Sequence, residues 1–360
     1  MQQAVYDSSK FVHVKDISLS KETISILDQA TKIYNQNFNK KTWYGRCIFL
    51  SWYCSIGDCT FCFRTTQKHQ IHHPKGSKRS MGSVLLEALF SRLFNWRIEF
   101  LTGGYGMMPF DELKEFAKNV SLVYNEKIWL NIGILTNDQL EQLRPYVKGI
   151  VSSMETLHPQ IHKDVCPSKP IEPYDKMFTN LKDFKKSICL IVGLGDTYDD
   201  MKYAYDFIEK HNINRVTIYA LKPIRDGPFK EGPSVEEYVN WIARLRIKFP
   251  KLEIIAGTNL RRSEEVGYLM KAGANAITKF PATKQFATKK AHLITNLITK
   301  EQRIFTSNLI DLKDINFIEE INKLTIEEKY KDQMLEKLPL YLKTFLNPRD
   351  KDKETSSPQG

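Results

Sequence analysis

Short runs of apolar and β-branched residues alternate along the chain with longer stretches in which apolar residues recur at helical spacing. Eight of these runs predict β-strands, at 47–53, 97–102, 128–133, 149–153, 187–193, 215–221, 252–256 and 275–279. Amphipathic helical stretches such as "FDELKEFAKNVSLVY" lie between consecutive runs. Because strand–helix alternation implies parallel strands joined by crossovers, the pattern predicts the α/β class and a (β/α)8 barrel of TIM type.

The same pattern suggests four parts of the chain. Residues 1–45 are expected to form an N-terminal helical extension, 46–300 the barrel, 301–346 a C-terminal helical extension and 347–360 a disordered tail. A doubly wound open sheet is the alternative architecture. It is disfavoured because no G-x-G-x-x-G sequence follows the first predicted strand.

The net charge of +11 favours anionic partners, but lysines alternate with acids in most helical stretches, as on a solvated surface. Nucleic acid is therefore a disfavoured partner. No run approaches the roughly 20 apolar residues that cross a bilayer, and the N-terminus lacks the apolar core of a secretory signal. These features predict no membrane partner and a cytoplasmic location, where thiols stay reduced.

Three of the six cysteines follow the first predicted strand, with the spacing C-x4-C-x2-C: Cys54, Cys59 and Cys62. A structural zinc ion would need a fourth ligand, and the histidines of "KHQIHH" at 68–73 could supply it. Three thiolates suit an iron–sulfur cluster better, because they leave one iron open to a small molecule. Three further loops, at 102–106, 154–158 and 193–197, also follow predicted strands and should meet the cysteines at one end of the barrel.

The order of these motifs resembles that of radical S-adenosylmethionine (SAM) enzymes, whose cluster loop usually reads C-x3-C-x2-C. The segments that resemble biotin synthase, HydE and PylB are "METLHPQIH", "IVGLGDT", "YALKPIRDGPF" and "LMKAGANAITKFP". Together they extend the resemblance over most of the chain. The wider first cysteine gap suggests the HmdB (HcgA) branch, which serves biosynthesis of the iron–guanylylpyridinol cofactor of the methanogen iron-only hydrogenase.

The resemblance implies that Cys54, Cys59 and Cys62 bind three irons of a 4Fe–4S cluster, and that SAM chelates the fourth. Reductive cleavage of SAM would give a 5′-deoxyadenosyl radical that abstracts hydrogen from a small molecule. The implied SAM contacts are Phe61, Gly193 and Gly195 near the adenine, Gly103, Gly104 and Tyr105 near the methionyl amine, Glu155 near the ribose or amino group, and Lys176 near the methionyl carboxylate. Tyr105 stands where this family commonly has glutamate.

The substrate is expected to be a small molecule, and the basic chain favours an acidic one. The predicted substrate contacts are Tyr219 and Asn259 at strand ends, with Arg225, Arg261 and Arg262 as a clamp for an anion. The resemblance implies an electron donor such as ferredoxin or flavodoxin. Two alternatives stay open: a radical SAM enzyme of the HydE, PylB or biotin synthase type with another substrate, and a zinc-stabilised RNA-binding protein.

Overall fold

The computed structural model describes residues 17–312 and 315–346. The strands are β1 Lys41–Phe49, β2 Arg97–Thr102, β3 Ile128–Asn131, β4 Val147–Glu155, β5 Lys185–Val192, β6 Arg215–Ala220, β7 Glu253–Gly257, β8 Ala276–Thr278 and β9 Ile304–Phe305. The helices are α1 Lys21–Asn37, α2 Phe63–Gln67, α3 Met81–Leu93, α4 Phe110–Tyr124, α5 Asn137–Leu143, α6 Pro159–Val165, α7 Glu172–Asn180, α8 Met201–His211, α9 Val235–Lys248, α10 Val266–Lys271, α11 Lys289–Lys300, α12 Phe317–Asn322 and α13 Glu328–Leu346. The predicted disordered tail at 347–360 lies outside the described residues.

Strands β1 to β8 close into a parallel barrel, which confirms the predicted fold class. Closure occurs at β1, because this strand pairs with β2 on one side and with β8 on the other. The short strand β9 extends the sheet beside the first residues of β1, where Lys41 pairs with Ile304. The described helices from α3 to α11 follow barrel strands, as the alternating sequence pattern predicted.

The predicted start of the first strand was wrong. We expected it at 47–53, whereas β1 begins at Lys41, inside the predicted N-terminal extension. Charged residues at Lys41 and Arg46 interrupt the apolar pattern, although Trp43 and Tyr44 between them are buried. The strand tolerates both charges because Lys41 is exposed and Arg46 pairs with Glu87.

The helices cover the barrel with one apolar face each. In α8 the inward residues recur at helical spacing, at Met201, Ala204, Phe207 and Ile208. A second, smaller apolar cluster consists of strand residues alone and fills the barrel interior; its buried members are Cys47, Phe100, Trp129, Val151 and Cys189. In the described part of the chain, no helix combines the length and the apolar character needed to cross a membrane.

A β-bulge in β2 places an acidic side chain inside the barrel. Arg46 pairs with Ile98 and Cys47 pairs with Phe100. Strand β2 therefore has one extra residue, Glu99, opposite β1 at this point. Bulges of this kind redirect a side chain, and here the carboxylate turns into the barrel.

Glu99 is fully buried and accepts hydrogen bonds from three other strands. Thr217 Oγ1 donates to its Oε1 at 2.8 Å, and the Tyr219 hydroxyl donates to the same oxygen at 3.2 Å. Its Oε2 accepts from Thr278 Oγ1 and, at 2.8 Å, from Cys47 Sγ. Burial and the adjacent carboxylate raise the pKa of Cys47 to about 12, which keeps this thiol protonated as a donor.

A second buried carboxylate joins β1 to the outer helices. Glu87 on α3 pairs with Arg46 at 2.7 Å and with Arg79 at 2.8 Å. The Tyr341 hydroxyl of α13 donates to Glu87 Oε1 at 3.4 Å. Burial acts to raise the pKa of Glu87, but the two guanidinium groups more than offset it and hold this pKa below its usual range.

We expect Glu99→Leu to lower the free energy of unfolding by about 3 kcal/mol, because the buried donors of Thr217 and Tyr219 lose their acceptor. Denaturant unfolding followed by circular dichroism measures this change. The control is Glu126→Leu, which removes an exposed carboxylate and should change the stability by less than about 0.5 kcal/mol. Equal effects of the two substitutions would contradict the role of Glu99.

We expect the stabilising effect of Glu87 to depend on pH. Its folded-state pKa is lowered, so its contribution is complete above the usual value of 4.5 and is lost as the pH falls through the folded-state pKa. The difference in unfolding free energy between wild type and Glu87→Gln should therefore be largest at neutral pH and shrink in acid. A difference that grows in acid would show that folding raises the pKa of Glu87 instead of lowering it.

Candidate active site

The carboxyl ends of the barrel strands surround a cavity of about 390 Å³. Its lining includes Phe49 of β1, Asn131 of β3, Glu155 of β4 and Tyr219 of β6. The cysteine loop follows β1 at this same end, and the other three predicted loops follow β2, β4 and β5. The structure thus places the four loops at the end of the barrel where active sites of this fold lie.

The cysteine loop is bound through its backbone to the loop after β2 and to helix α6. Ser55 N donates to Tyr105 O at 2.9 Å, in the loop after β2. Thr60 N donates to Val165 O at 2.9 Å, at the end of α6. Within the loop, Cys62 N donates to the carbonyl of Cys59 at 3.0 Å. These contacts fix the loop against its neighbours.

The three cysteines of the motif are half-buried and free of disulfides. Cys54 Sγ accepts a hydrogen bond from Tyr105 N at 3.3 Å. A hydrogen bond from the thiol of Cys166 lowers the pKa of Cys59, against the opposing effect of burial. Burial raises the pKa of Cys62, and the positive charge of Arg64 opposes that rise. The hydrogen bond from Cys166 therefore favours the thiolate of Cys59, whereas burial favours the neutral thiol of Cys62.

The residues of the loop fit an iron–sulfur cluster. Two buried polar atoms, Asp58 Oδ1 and Thr60 Oγ1, have no hydrogen-bond partner in the structure, as expected where a group is to be bound. In residues 17–312 and 315–346, no three histidine, cysteine, aspartate or glutamate side chains are close enough to hold one metal ion. A 4Fe–4S cluster does not need that convergence, because each thiolate binds a different iron.

The histidines considered as zinc ligands lie on the surface, whereas the cysteines are half-buried. His69, His72 and His73 are exposed, after α2. His73 Nδ1 accepts a hydrogen bond from Lys75 N at 3.2 Å, which caps a short 3₁₀ turn. The structure thus gives these histidines a place on the surface.

Arg64 joins the cysteine loop to the loop after β2. Its Nη1 donates to Gly103 O at 2.8 Å and its Nη2 to Ser51 O at 3.2 Å. Its guanidinium lies 5.5 Å from the centre of the Phe49 ring. The pattern of the sequence did not single out this arginine, since one basic residue after a metal motif is common on surfaces.

Of the predicted glycines after β2, Gly104 is required for close packing. A Cβ at Gly104 would lie 1.8 Å from Tyr53 O and 2.5 Å from Cys54 Cβ, so only glycine fits against the cysteine loop. A Cβ at Gly103 would meet Met107 Sδ at 1.7 Å. Tyr105, by contrast, is exposed. Contact of these three residues with the methionyl amine stays a prediction.

Phe61 and the loop after β5 lie on one side of the cysteines. Phe61 packs with Cys59 against an apolar cluster that contains Leu194, between the two predicted glycines. Gly193 and Gly195 have φ values of 101° and 118°, which L side chains rarely adopt. The structure thus brings together the residues that we predicted near the adenine.

Glu155 lies at the cavity, but the structure does not bring Lys176 to it. Lys176 is exposed, because the register of α7 turns Tyr174 and Met177 inward. The lysine at Glu155 is Lys169, whose Nζ lies 2.8 Å from Glu155 Oε1. Burial acts to lower the pKa of Lys169, but Glu155 and the cysteine thiols more than offset this and raise it.

Of the predicted substrate contacts, Tyr219 and Asn259 line the cavity, whereas the three arginines do not. Arg225 is 95% exposed, and Arg262 pairs with Glu265 at 2.8 Å. Arg261 is likewise exposed, outside the lining. The lysines Lys222 and Lys279 line the cavity instead, and our reading of the sequence missed both.

The chain is similar to known proteins in sequence and in fold. Residues 217–302 match the Biotin and Thiamin Synthesis associated domain. An uncharacterized protein of Methanocaldococcus jannaschii is 33% identical over 292 residues, which cover 79% of this chain and 80% of that protein. Biotin synthase of Thermodesulfovibrio yellowstonii is 24% identical over 234 residues, 61% of this chain and 72% of the enzyme. The crystal structure of methylornithine synthase (PylB) shares the fold with a TM-score of 0.61 and 18% identity, over 74% of this chain and 80% of that one.

These relatives agree with the geometry of the site. Biotin synthase and methylornithine synthase are radical SAM proteins, which use a 4Fe–4S cluster and SAM. This chain has their barrel and three free cysteines at its catalytic end. The characterised relatives of this chain are thus enzymes of the radical S-adenosylmethionine superfamily, whose cofactors are a 4Fe–4S cluster and S-adenosylmethionine, and the chain is similar to them in sequence and in fold.

Proposed function

We propose that this radical SAM enzyme converts a small-molecule precursor in biosynthesis of the iron–guanylylpyridinol cofactor of iron-only hydrogenase, as HmdB does. The observation that carries the proposal is the cavity of about 390 Å³ beside the cysteine loop, which suits a small molecule and is too small for a folded partner. The C-x4-C-x2-C spacing supports the HmdB branch, since its first gap is wider than the usual one.

We assign a separate role to each group of residues in the proposed site. Cys54, Cys59 and Cys62 hold the cluster, and Glu155, positioned by Lys169, accepts hydrogen bonds from bound SAM. The aromatic rings of Phe49 and Phe100 line the cavity and exclude water from the reacting atoms. When bound, the two cofactors supply hydrogen-atom abstraction. We propose ferredoxin or flavodoxin as the electron donor and the cytoplasm, where the free thiols stay reduced, as the location.

A second candidate is an enzyme of the HydE, PylB or biotin synthase type with another small substrate. The match of residues 217–302 to the Biotin and Thiamin Synthesis associated domain favours it. Within this second candidate, sulfur insertion from a second cluster is disfavoured, because the remaining cysteines are poorly placed to bind one. Cys47 and Cys189 lie inside the barrel, where burial raises the pKa of both and keeps them as neutral thiols.

Deletion of the gene in the organism that encodes the chain tests the cofactor role. We expect the mutant to lose the iron–guanylylpyridinol cofactor, as measured by mass spectrometry of cell extracts, and a plasmid copy to restore it. A plasmid copy with Cys59→Ala should fail to restore it, whereas a copy with Cys189→Ala should succeed. A deletion mutant with a normal cofactor content would favour the second candidate.

We expect Cys54→Ala, Cys59→Ala and Cys62→Ala each to prevent assembly of an intact 4Fe–4S cluster, because each removes the ligand of one iron. Anaerobic reconstitution followed by iron and sulfide analysis, and by electron paramagnetic resonance after reduction, measures the loss. Cys189→Ala is the matched control and should assemble the cluster, because its thiol lies in the barrel interior. Full cluster content in any of the three variants would show that this cysteine is not a ligand.

We expect Lys169→Met and Glu155→Gln to weaken SAM binding by about tenfold or more, because each breaks a partly buried, charge-assisted hydrogen bond at the cavity. Equilibrium dialysis of the reconstituted protein with labelled SAM measures the dissociation constant. Lys176→Met makes the same change of charge on the exposed side of α7 and should bind SAM normally. Weaker binding by Lys176→Met alone would restore the role that the sequence suggested for that lysine.

A further inference from the structure

Lys279 is held over the cavity by its backbone and by two aromatic rings. It follows β8 directly and has a φ of 67°, in the left-handed region that a lysine rarely adopts because its Cβ is crowded there. Its Nζ lies 4.9 Å from the centre of the Phe49 ring and 5.1 Å from that of Tyr219. A strained residue whose charge is fixed above a cavity is typical of a functional position.

The backbone on both sides keeps that strain in place. Thr278, the preceding residue, donates to Gly45 O at 2.9 Å and to the carboxylate of Glu99. Phe280, the following residue, is fully buried and its carbonyl accepts the Tyr44 hydroxyl at 2.6 Å. Lys279 is therefore anchored at both neighbours while its own side chain stays exposed to the cavity.

The cavity has an excess of positive charge. Its lining contains Arg64, Lys222 and Lys279 and one carboxylate, Glu155. That carboxylate is already paired with Lys169. Among the described residues, neither Lys222 nor Lys279 takes part in an ion pair with a side chain.

The other charged groups near the cavity have partners of their own. Arg64 lies beside the thiols of Cys54 and Cys62, so the cluster site accounts for its charge. The carboxylate of Glu99 lies beneath the cavity and already accepts hydrogen bonds from four side chains. Because Glu155, the carboxylate of the cavity lining, is paired with Lys169, the charge of Lys279 is available to a molecule in the cavity.

We propose that Lys279 binds an anionic group of the substrate, a carboxylate or a phosphate, and that Lys222 adds to the attraction. This assignment rests on the proposed function in one respect: the cavity is the substrate site. It replaces the arginine clamp that the sequence suggested. The rings of Phe49, Phe100 and Tyr219 suit an apolar or aromatic body, so the substrate class is a small acid with such a body.

The test uses the reconstituted enzyme and a metabolite extract of the source organism, separated by anion exchange into a retained and an unretained fraction. We expect the retained fraction to stimulate 5′-deoxyadenosine formation. Lys279→Met should need about tenfold more of it for half-maximal stimulation, since a hydrogen bond to a charged group is lost. Lys279→Arg should recover part of the effect. Phosphatase treatment of the fraction distinguishes a phosphate from a carboxylate, because only a phosphate ester loses its anionic group.

Binding without turnover provides the second readout. In equilibrium dialysis with the retained fraction, wild type and Lys176→Met should enrich the same small acid, and Lys279→Met should not. The proposal is overturned if only the unretained fraction, or neither fraction, stimulates, or if Lys279→Met behaves like wild type. If the enzyme forms no 5′-deoxyadenosine at all, the proposed function fails, and dialysis still decides whether Lys279 binds an acid.

Discussion

The structure depends on one buried acid, Glu99, and on the strands that it joins. It is inside the barrel because β2 has one residue more than β1 at that point. Gly45 gives it room, since a Cβ there would lie 3.3 Å from the Cβ of Glu99. A buried carboxylate is costly unless it is hydrogen-bonded, so the fold requires donors such as Thr217 and Thr278 around it. Four strands, β1, β2, β6 and β8, are thereby connected across the barrel interior.

The same acid organises the cavity above it. It accepts the hydroxyl of Tyr219, whose ring in turn contacts Lys279. It also accepts from Thr278, which fixes the point at which the chain turns left-handed. Glu155, at the end of β4, has a positive φ as well, at 65°. Glu155, which we assign to SAM, and Lys279, which we assign to the substrate, thus both have a strained backbone at the end of a strand. The rigid barrel offsets the cost of that strain.

The fold and the place of the cysteines could be predicted from the sequence, because they depend on the periodicity of apolar residues and on the order of the motifs. The orientation of single side chains such as Glu99 and Lys169 could not, because it depends on strand and helix register. Helix and strand alternation led to the barrel, and the three cysteines led to its catalytic end. Glu99 could not be found in this way, because a bulge leaves no mark on the apolar pattern of "RIEFLT". Lys176 was chosen over Lys169 because position relative to a motif was the only guide, whereas burial and the helix register decide which lysine meets Glu155.

The cysteine loop accommodates the extra residue between Cys54 and Cys59 by a local turn. Cys54 is fixed by contacts outside the gap, because Gly104 packs against its Cβ and Tyr105 N donates to its Sγ. The gap itself turns at Gly57, where φ is 55°. A longer turn at that point lengthens the loop without displacing Cys54 from the loop after β2, so the spacing of the motif can vary while its place in the barrel stays the same.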